Sequence, residues 1–498
     1  MKQPLIHRSA AIRKQDERGV TMVLVAVAMV AIIAMAALSI DVITLYLAKQ
    51  EAQRSADSAA LAAAKVLSLS GITGDPTNNT RNWGAICGLD DGTNGLATRV
   101  AKAVANQNLV GGGPATTPTV MYNSGGTSVA DCSSLSTTGF GVNPIVTVQL
   151  QRSGLPTFFS RIWGNRSNTV SATATAEVFN PSDSATSGNT VTGSVIPVQP
   201  RCVKPWVVPN QNPLIPGPAA GTYCNQGSGP CNKIVDMTDG SIQNAGISLN
   251  GTGAAGIIGE TFWMVADCRH SNLASCTLRR ATPSANYGSA SPFVKPFPNL
   301  LYLPGQVGTP VTAVPSCTTG DAYEEAIEGC DQPANYSCGV PPASGGNNTV
   351  DLTRNPEDPT SDGVSCLIHQ ASVSDVTDST GQDYLNVFMA PSSYPFQILA
   401  GSNNPLVAAG LPTGNPVSVS PSIVSLPIYD EPAVTVTSGT VSGVTFVGFL
   451  QVFINAVDNA GNISVTVLNV AGCGNGTTPL GTPVTANSPV PVRLITPP

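Results

Sequence analysis

Hydrophobic positions are concentrated near the start of the chain. Residues 20–40 carry no charged side chain, and at about 1.5 Å of helical rise per residue the run reaches about 30 Å, the hydrocarbon thickness of a bilayer. Helical character continues over residues 42–67, where Ala48, Ala52, Ala56, Ala60 and Ala64 recur at four-residue spacing. A stripe of small side chains lets a second helix approach closely, although Ala is also the best helix former and a plain helix would use it freely. The first reading is favoured, and these five residues are the candidate helix-packing interface. A further helix is predicted over Leu96–Gln107. Period-two alternation at Val146-Thr147-Val148-Gln149-Leu150 and again over residues 170–176 flanks a turn opened by Pro156, which predicts strand, short helix, strand. Residues 181–195 are rich in Ser, Thr, Gly and Asn and read as a flexible linker. Beyond it, strand signals stand out at 444–457 and 463–470, separated by the turn Asp458-Asn459-Ala460-Gly461-Asn462.

Charge gives the span a direction. Lys2, Arg8, Arg13, Lys14 and Arg18 precede it against Asp16 and Glu17, whereas Lys49, Arg54 and Lys65 after it are matched by Asp41, Glu51 and Asp57. The positive-inside bias therefore keeps the N-terminus cytoplasmic and sends the bulk of the chain outside. The competing reading is a cleaved secretory signal, because Ala34-Met35-Ala36 fits a small-x-small site; both readings export the remainder. The expected location is the bacterial inner membrane, single-pass, with a periplasmic or extracellular bulk.

The 498 residues suggest more than one domain. Only 11% are charged, while 49 Gly and 41 Pro accompany abundant Ser, Thr and Asn, a loop- and strand-rich exported composition. A net charge of −7, with no basic cluster beyond the N-terminal segment, argues against nucleic acid as a partner. All 12 cysteines follow the span, so disulfides are the default reading. Cys224 with Cys231, Cys268 with Cys276, and Cys330 with Cys338 look like local loop staples, and Cys87 with Cys132 can pair within the first module; spacing does not fix the connectivity. Structural zinc would call for CxxC or clustered His, and neither is present in the sequence.

The N-terminal region resembles a known family. Arg18-Gly19 precede the span, Asp41 closes it, Leu45-Tyr46 follow, and then comes Gln53-Arg54-Ser55-Ala56-Asp57-Ser58-Ala59-Ala60-Leu61-Ala62-Ala63-Ala64. This set, over about residues 18–68, is similar to the N-terminal domain of TadG-like proteins of the tight-adherence (Flp) pilus assembly system. Arg18, Gly19, Asp41, Ala56, Asp57, Ala59, Ala60 and Leu61 carry the match, and Ser55 and Ser58 stand where the family run has Ala. Residues 145–178 also resemble segments of Tad-type pilin-like proteins, in which a long N-terminal helix packs on a small antiparallel sheet. The resemblance implies an α+β fold: a single transmembrane helix continuing into an Ala-rich helix packed on a small antiparallel sheet, then a β-rich, disulfide-containing ectodomain. The expected boundaries are 1–18 cytoplasmic, 19–41 transmembrane, 42–180 helix plus sheet, 181–195 linker and 196–498 ectodomain. A pilin would carry Glu at the fifth position after its cleavage Gly; Leu24 stands there, which implies an anchored accessory component that is neither processed nor polymerised.

Several strings imitate chemistry. Gly251, Gly253 and Gly256 form GxGxxG with Asp267 downstream, yet no βαβ pattern surrounds them. Asp321, Glu324, Glu325 and Glu328 would align on one helical face, as a solvated stripe or as calcium ligands. Asp90-Asp91-Gly92-Thr93-Asn94-Gly95 imitates a calcium loop, but Ala101 occupies the closing Glu position. No GxSxG or HExxH occurs, and the string from Asp236 to Ser241 lacks the second Ser of a DxSxS metal site. The expectation is a non-catalytic, membrane-anchored component of Flp/Tad-type pilus assembly or secretion. It should contact pilin-like or other assembly proteins through helix packing and its ectodomain, with no cofactor, metal, nucleic acid or small-molecule substrate. An envelope-anchored adhesive protein is the alternative, and a tethered hydrolase using His270 or His369 is a third.

Overall fold

In the computed structural model, the described residues lie within 17–179, 198–212, 233–243, 257–266, 299–307, 321–329, 336–338, 348–371, 381–386, 397–429, 440–473 and 484–496. Helix α1 (Glu17–Leu69) runs unbroken for 53 residues, about 80 Å. Its sequence holds no Pro and, after Gly19, no Gly, so nothing interrupts its hydrogen-bond ladder. It ends where the Ser70 N–H and hydroxyl turn back onto the carbonyls of Val66 (3.0 Å) and Leu67 (2.8 Å). Residues 20–33 are exposed all round, while from Ala48 onward one face is buried. α1 is thus one helix in two environments, and it is long and apolar enough to cross a membrane.

The buried half of α1 packs on β3 (Ile145–Pro156) and β4 (Ser167–Val178), which form a long antiparallel hairpin, with β1 (Thr119–Ser124) and β2 (Thr127–Val129) continuing the sheet beyond β3. The predicted helix α3 (Leu96–Gln107) lies along the other side of α1, and α2 (Thr80–Cys87) is tied to the module by the Cys87–Cys132 disulfide. Edge-on aromatic packing closes this core, with Phe140 ring centroids 5.4 Å from Trp83 and 5.8 Å from Tyr122. The Tyr122 hydroxyl bonds Thr98 on α3 at 2.8 Å. Helix on small antiparallel sheet is the architecture that the resemblance implied.

The second module is a closed six-stranded barrel. β5 (Trp206–Pro209), β6 (Thr261–Ala266), β7 (Asn299–Pro304), β8 (Ile423–Tyr429), β9 (Phe446–Val457) and β10 (Ile463–Gly472) close in the order β8-β9-β10-β6-β7-β5. Neighbours are antiparallel except β6 with β7 and β5 with β8. β9 and β10 are buried almost throughout rather than on alternate positions, because the barrel interior lies on one side and helices cover part of the other. The turn between them forms as predicted, with the Asp458 carboxylate accepting from the N–H groups of Ala460 (3.0 Å) and Asn462 (2.9 Å) and Gly461 at φ 70°.

The two modules are not separated along the chain as the boundaries 42–180 and 196–498 propose. β11 (Val492–Ile495), close to the C-terminus, pairs antiparallel with the end of β4 and completes the first module's sheet. Near the end of α1, the Ser68 hydroxyl donates to the Val490 carbonyl (2.7 Å) and the Ser68 carbonyl accepts from the Asn469 amide of β10 (2.5 Å). The barrel is therefore fixed to the end of α1 farthest from the exposed span.

Candidate functional site

The junction between the exposed and buried halves of α1 is built around Asp41. Its side chain is 4% exposed although its neighbours Ile40 and Val42 are open. Oδ1 accepts from the N–H of Phe158 (2.9 Å) and Oδ2 from those of Phe159 (3.1 Å) and Ser160 (2.6 Å). These donors open the 3-10 turn Ser160–Trp163 at the tip of the β3–β4 hairpin. A carboxylate suits the N-terminus of such a turn, where N–H groups lack partners within it. Asp41 thus clamps the hairpin tip to the turn of α1 at which the uncharged run ends.

Above Asp41, Ala48 is 3% exposed and Ala52, Ala56, Ala60 and Ala64 are fully buried, joined by Ala59 and Ala63. The covering surfaces are β3, β4 and the small face of α3, including Ala97, Ala101 and Ala105, and the Ser55 hydroxyl donates to the Ala105 carbonyl. Small residues on both helices let the backbones approach closely. The stripe is a packing face, but its partner is this chain's own sheet and α3. A separate pilin-like helix cannot occupy it without displacing them, which corrects the expectation of an intermolecular interface there.

The flank of the same helix guards an edge. β11 covers only the end of β4, and the carbonyls of Ser171 and Thr173 on the uncovered part accept hydrogen bonds from Lys49 Nζ and Gln53 Nε2. Gln53 also bonds Asp57 (2.8 Å), so this motif acid orients an edge-covering amide. Leu61 packs half-buried against the core, Gly19 lies exposed in the first turn, and Arg18 belongs to the same turn. Leu24 is 66% exposed.

Several other candidates have structural partners. Cys338 bonds Cys473 at the end of β10, not Cys330, because the chain brings these distant segments together at the barrel end. Cys202 and Cys366 are also disulfide-bonded. Cys224, Cys231, Cys268, Cys276 and Cys330 lie outside the described residues, as do His270, the GxGxxG string and most of the string beginning at Asp236. The acidic stripe is not a solvated face: Glu324 and Glu328 are buried. Asp321 is the N-cap of the helix Ala322–Glu328, accepting from the N–H of Tyr323 (2.7 Å), and Lys204 Nζ donates to the Ile327 and Gly329 carbonyls at its other end. Burial lowers the Lys204 ammonium to about 7, and burial together with Glu324 raises the Glu328 carboxyl to about 7. Asp90 pairs with Lys102 of α3 at 2.7 Å, which holds its pKa low, and Asp91 accepts from Asn94 within the loop, so both acids have protein partners. His369, in the left-handed region at φ 59°, borders a polar recess of about 420 Å³ with Glu324, Asp362 and Ser365. Among the described residues no cluster of three or more His, Cys, Asp or Glu side chains could hold a metal.

Three relationships were not available to sequence reasoning: Asp41 with residues 158–160, Lys204 with the acidic helix, and buried Glu260, held at 3.2 Å from Asn212. Asp41 offered a signal, an acid at the end of an apolar span, but nothing identified its partner. Searches of curated proteins and of solved structures return no match. Residues 19–66 match the family model Tad, described as "Putative Flp pilus-assembly TadE/G-like". This match begins in the first turn of the exposed span and ends in the last turns of the buried stripe, so over this segment the chain is similar to the TadE/G-like proteins that the model describes.

Proposed function

We propose that the chain is a non-catalytic, membrane-anchored component of Flp/Tad-type pilus assembly or secretion. In this reading residues 19–41 lie in the inner membrane with the N-terminus cytoplasmic, and both folded modules stand outside. The observation that carries it is the coincidence of the Tad match with a single helix whose first half is exposed and apolar and whose second half anchors a folded module. A water-exposed helix has no reason to present Val20, Met22, Val23, Val27, Val30 and Ile33 at more than half exposure each. The intermolecular contacts belong to that lipid-facing surface and to the outer faces of the modules, since the Ala48–Ala64 stripe is taken.

Replacing residues 20–40 with an unrelated transmembrane helix of equal length tests the anchoring part, and deleting the whole protein tests the pilus part. Loss of surface pili on deletion, with co-purification of pilus-assembly proteins from wild-type membranes, is expected. Normal piliation after deletion would remove the assembly role.

A further inference from the structure

We propose that the tip of the β3–β4 hairpin, residues 157–164, is seated in the outer interface of the bilayer that α1 crosses, with Phe158 as its anchor. The proposal rests on the membrane reading of α1. It is carried by the clamp at Asp41, which ties the tip to the point where the span ends: three N–H groups of the tip, those of Phe158, Phe159 and Ser160, lie on one carboxylate. Wherever the outer end of the span sits, the tip sits beside it.

A single exposed Phe on a protein surface needs no explanation. Phe158, 56% exposed, is held at Asp41, the level along α1 where a larger apolar surface begins, because α1 stays open past Asp41 at Val42 (56%), Ile43 (56%), Tyr46 (63%) and Leu47 (52%). Residues 41–47 rise about 9 Å. The headgroup layer is about 5–8 Å thick on each side of the hydrocarbon, so these side chains and the tip fall at the depth where amphipathic aromatic residues collect. The apolar surface of the first module is thus continuous with that of the span, and one bilayer covers both.

The polar groups at the tip suit that depth. An isolated carboxylate at the membrane surface would be costly, and so would unpaired N–H groups; here each satisfies the other. Arg161, exposed on the 3-10 turn, can extend toward lipid phosphates while its stem lies along apolar surface. Lys49, one turn above Tyr46–Leu47, already donates to the Ser171 carbonyl of β4 and stiffens the hairpin against α1.

The test places a benzophenone amino acid at residue 30, 158 or 127 of the full chain reconstituted in vesicles of phosphatidylethanolamine and phosphatidylglycerol. Residue 30 reports the span. Thr127, exposed, lies at the opposite end of the sheet, since the β1–β2 turn is next to Ile145 and the tip next to Pro156. After irradiation, mass spectrometry should find lipid adducts at 30 and 158 and at least ten-fold fewer at 127. Adducts at 30 with 158 no higher than 127 would put the tip in water and overturn the proposal while leaving the anchor intact. Absence of adducts at both 30 and 158 would instead remove the membrane reading of α1, and the seat with it.

Discussion

Glu177 is fully buried, and its Oε2 lies 2.9 Å from Nη2 of Arg493, a residue 316 positions further along the chain. The Arg493 guanidinium also stacks 4.9 Å over the Phe179 ring. The pair pins β11 to β4, so the C-terminal segment holds the first module together. Truncating the cation leaves a buried carboxylate uncompensated, which costs more than removing both charges. Arg493→Ala should destabilise the first module by about 2–4 kcal/mol, the Glu177→Gln/Arg493→Met double variant by less. Thermal melts of the detergent-solubilised protein check the order, and an equal loss in both would deny the pair a special role.

The Ala stripe gives a second expectation. Ala56 and Ala60 have no exposed surface, so Leu at either position must displace β-strand or α3 atoms, at about 1–3 kcal/mol each. Ser58, exposed on the opposite face, should accept Leu within about 0.5 kcal/mol. Limited proteolysis separates the two cases: fragments from β3 and β4 should appear early in Ala56→Leu and Ala60→Leu and not in Ser58→Leu.

Asp41→Ala removes the acceptor for three N–H groups. Amide hydrogen exchange at residues 158–160 should accelerate by at least ten-fold, with less change in Asp41→Asn, which keeps one acceptor oxygen. Unchanged exchange in Asp41→Ala would show that the hairpin tip holds itself.

Burial raises the Glu260 carboxyl to about 7. Its folded pKa lies above its unfolded one, so the native state holds the proton more tightly between about pH 4.5 and 7. The stabilisation is therefore present below that window and is lost as pH rises through it. Glu260→Gln keeps the acceptor for Asn212 and should be neutral near pH 4 but more stable than wild type at pH 8, by about 3 kcal/mol. Denaturant midpoints at the two pH values decide it.

Local features of the fold were legible because they depend on local signals. The helix Leu96–Gln107, the hairpin with its short 3-10 turn and the Asp458 turn all follow from periodicity and turn chemistry over a few residues. What stayed hidden depends on closure over long separations. The barrel needs strands from residues 206 to 472, Cys338 pairs 135 residues away, and β11 returns to β4. The stripe was legible as a packing face, yet spacing cannot say whether the partner belongs to the same chain. Sequence likewise showed acids at helical spacing and could not show Lys204 arriving at their helix end.

Protease protection in spheroplasts tests the central claim most directly, that one helix anchors an otherwise external protein. With distinct tags at the two ends of the full chain, added protease should remove the C-terminal tag and leave the N-terminal tag intact until the membrane is permeabilised. A C-terminal tag protected in intact spheroplasts, or an N-terminal tag lost from them, would contradict the account.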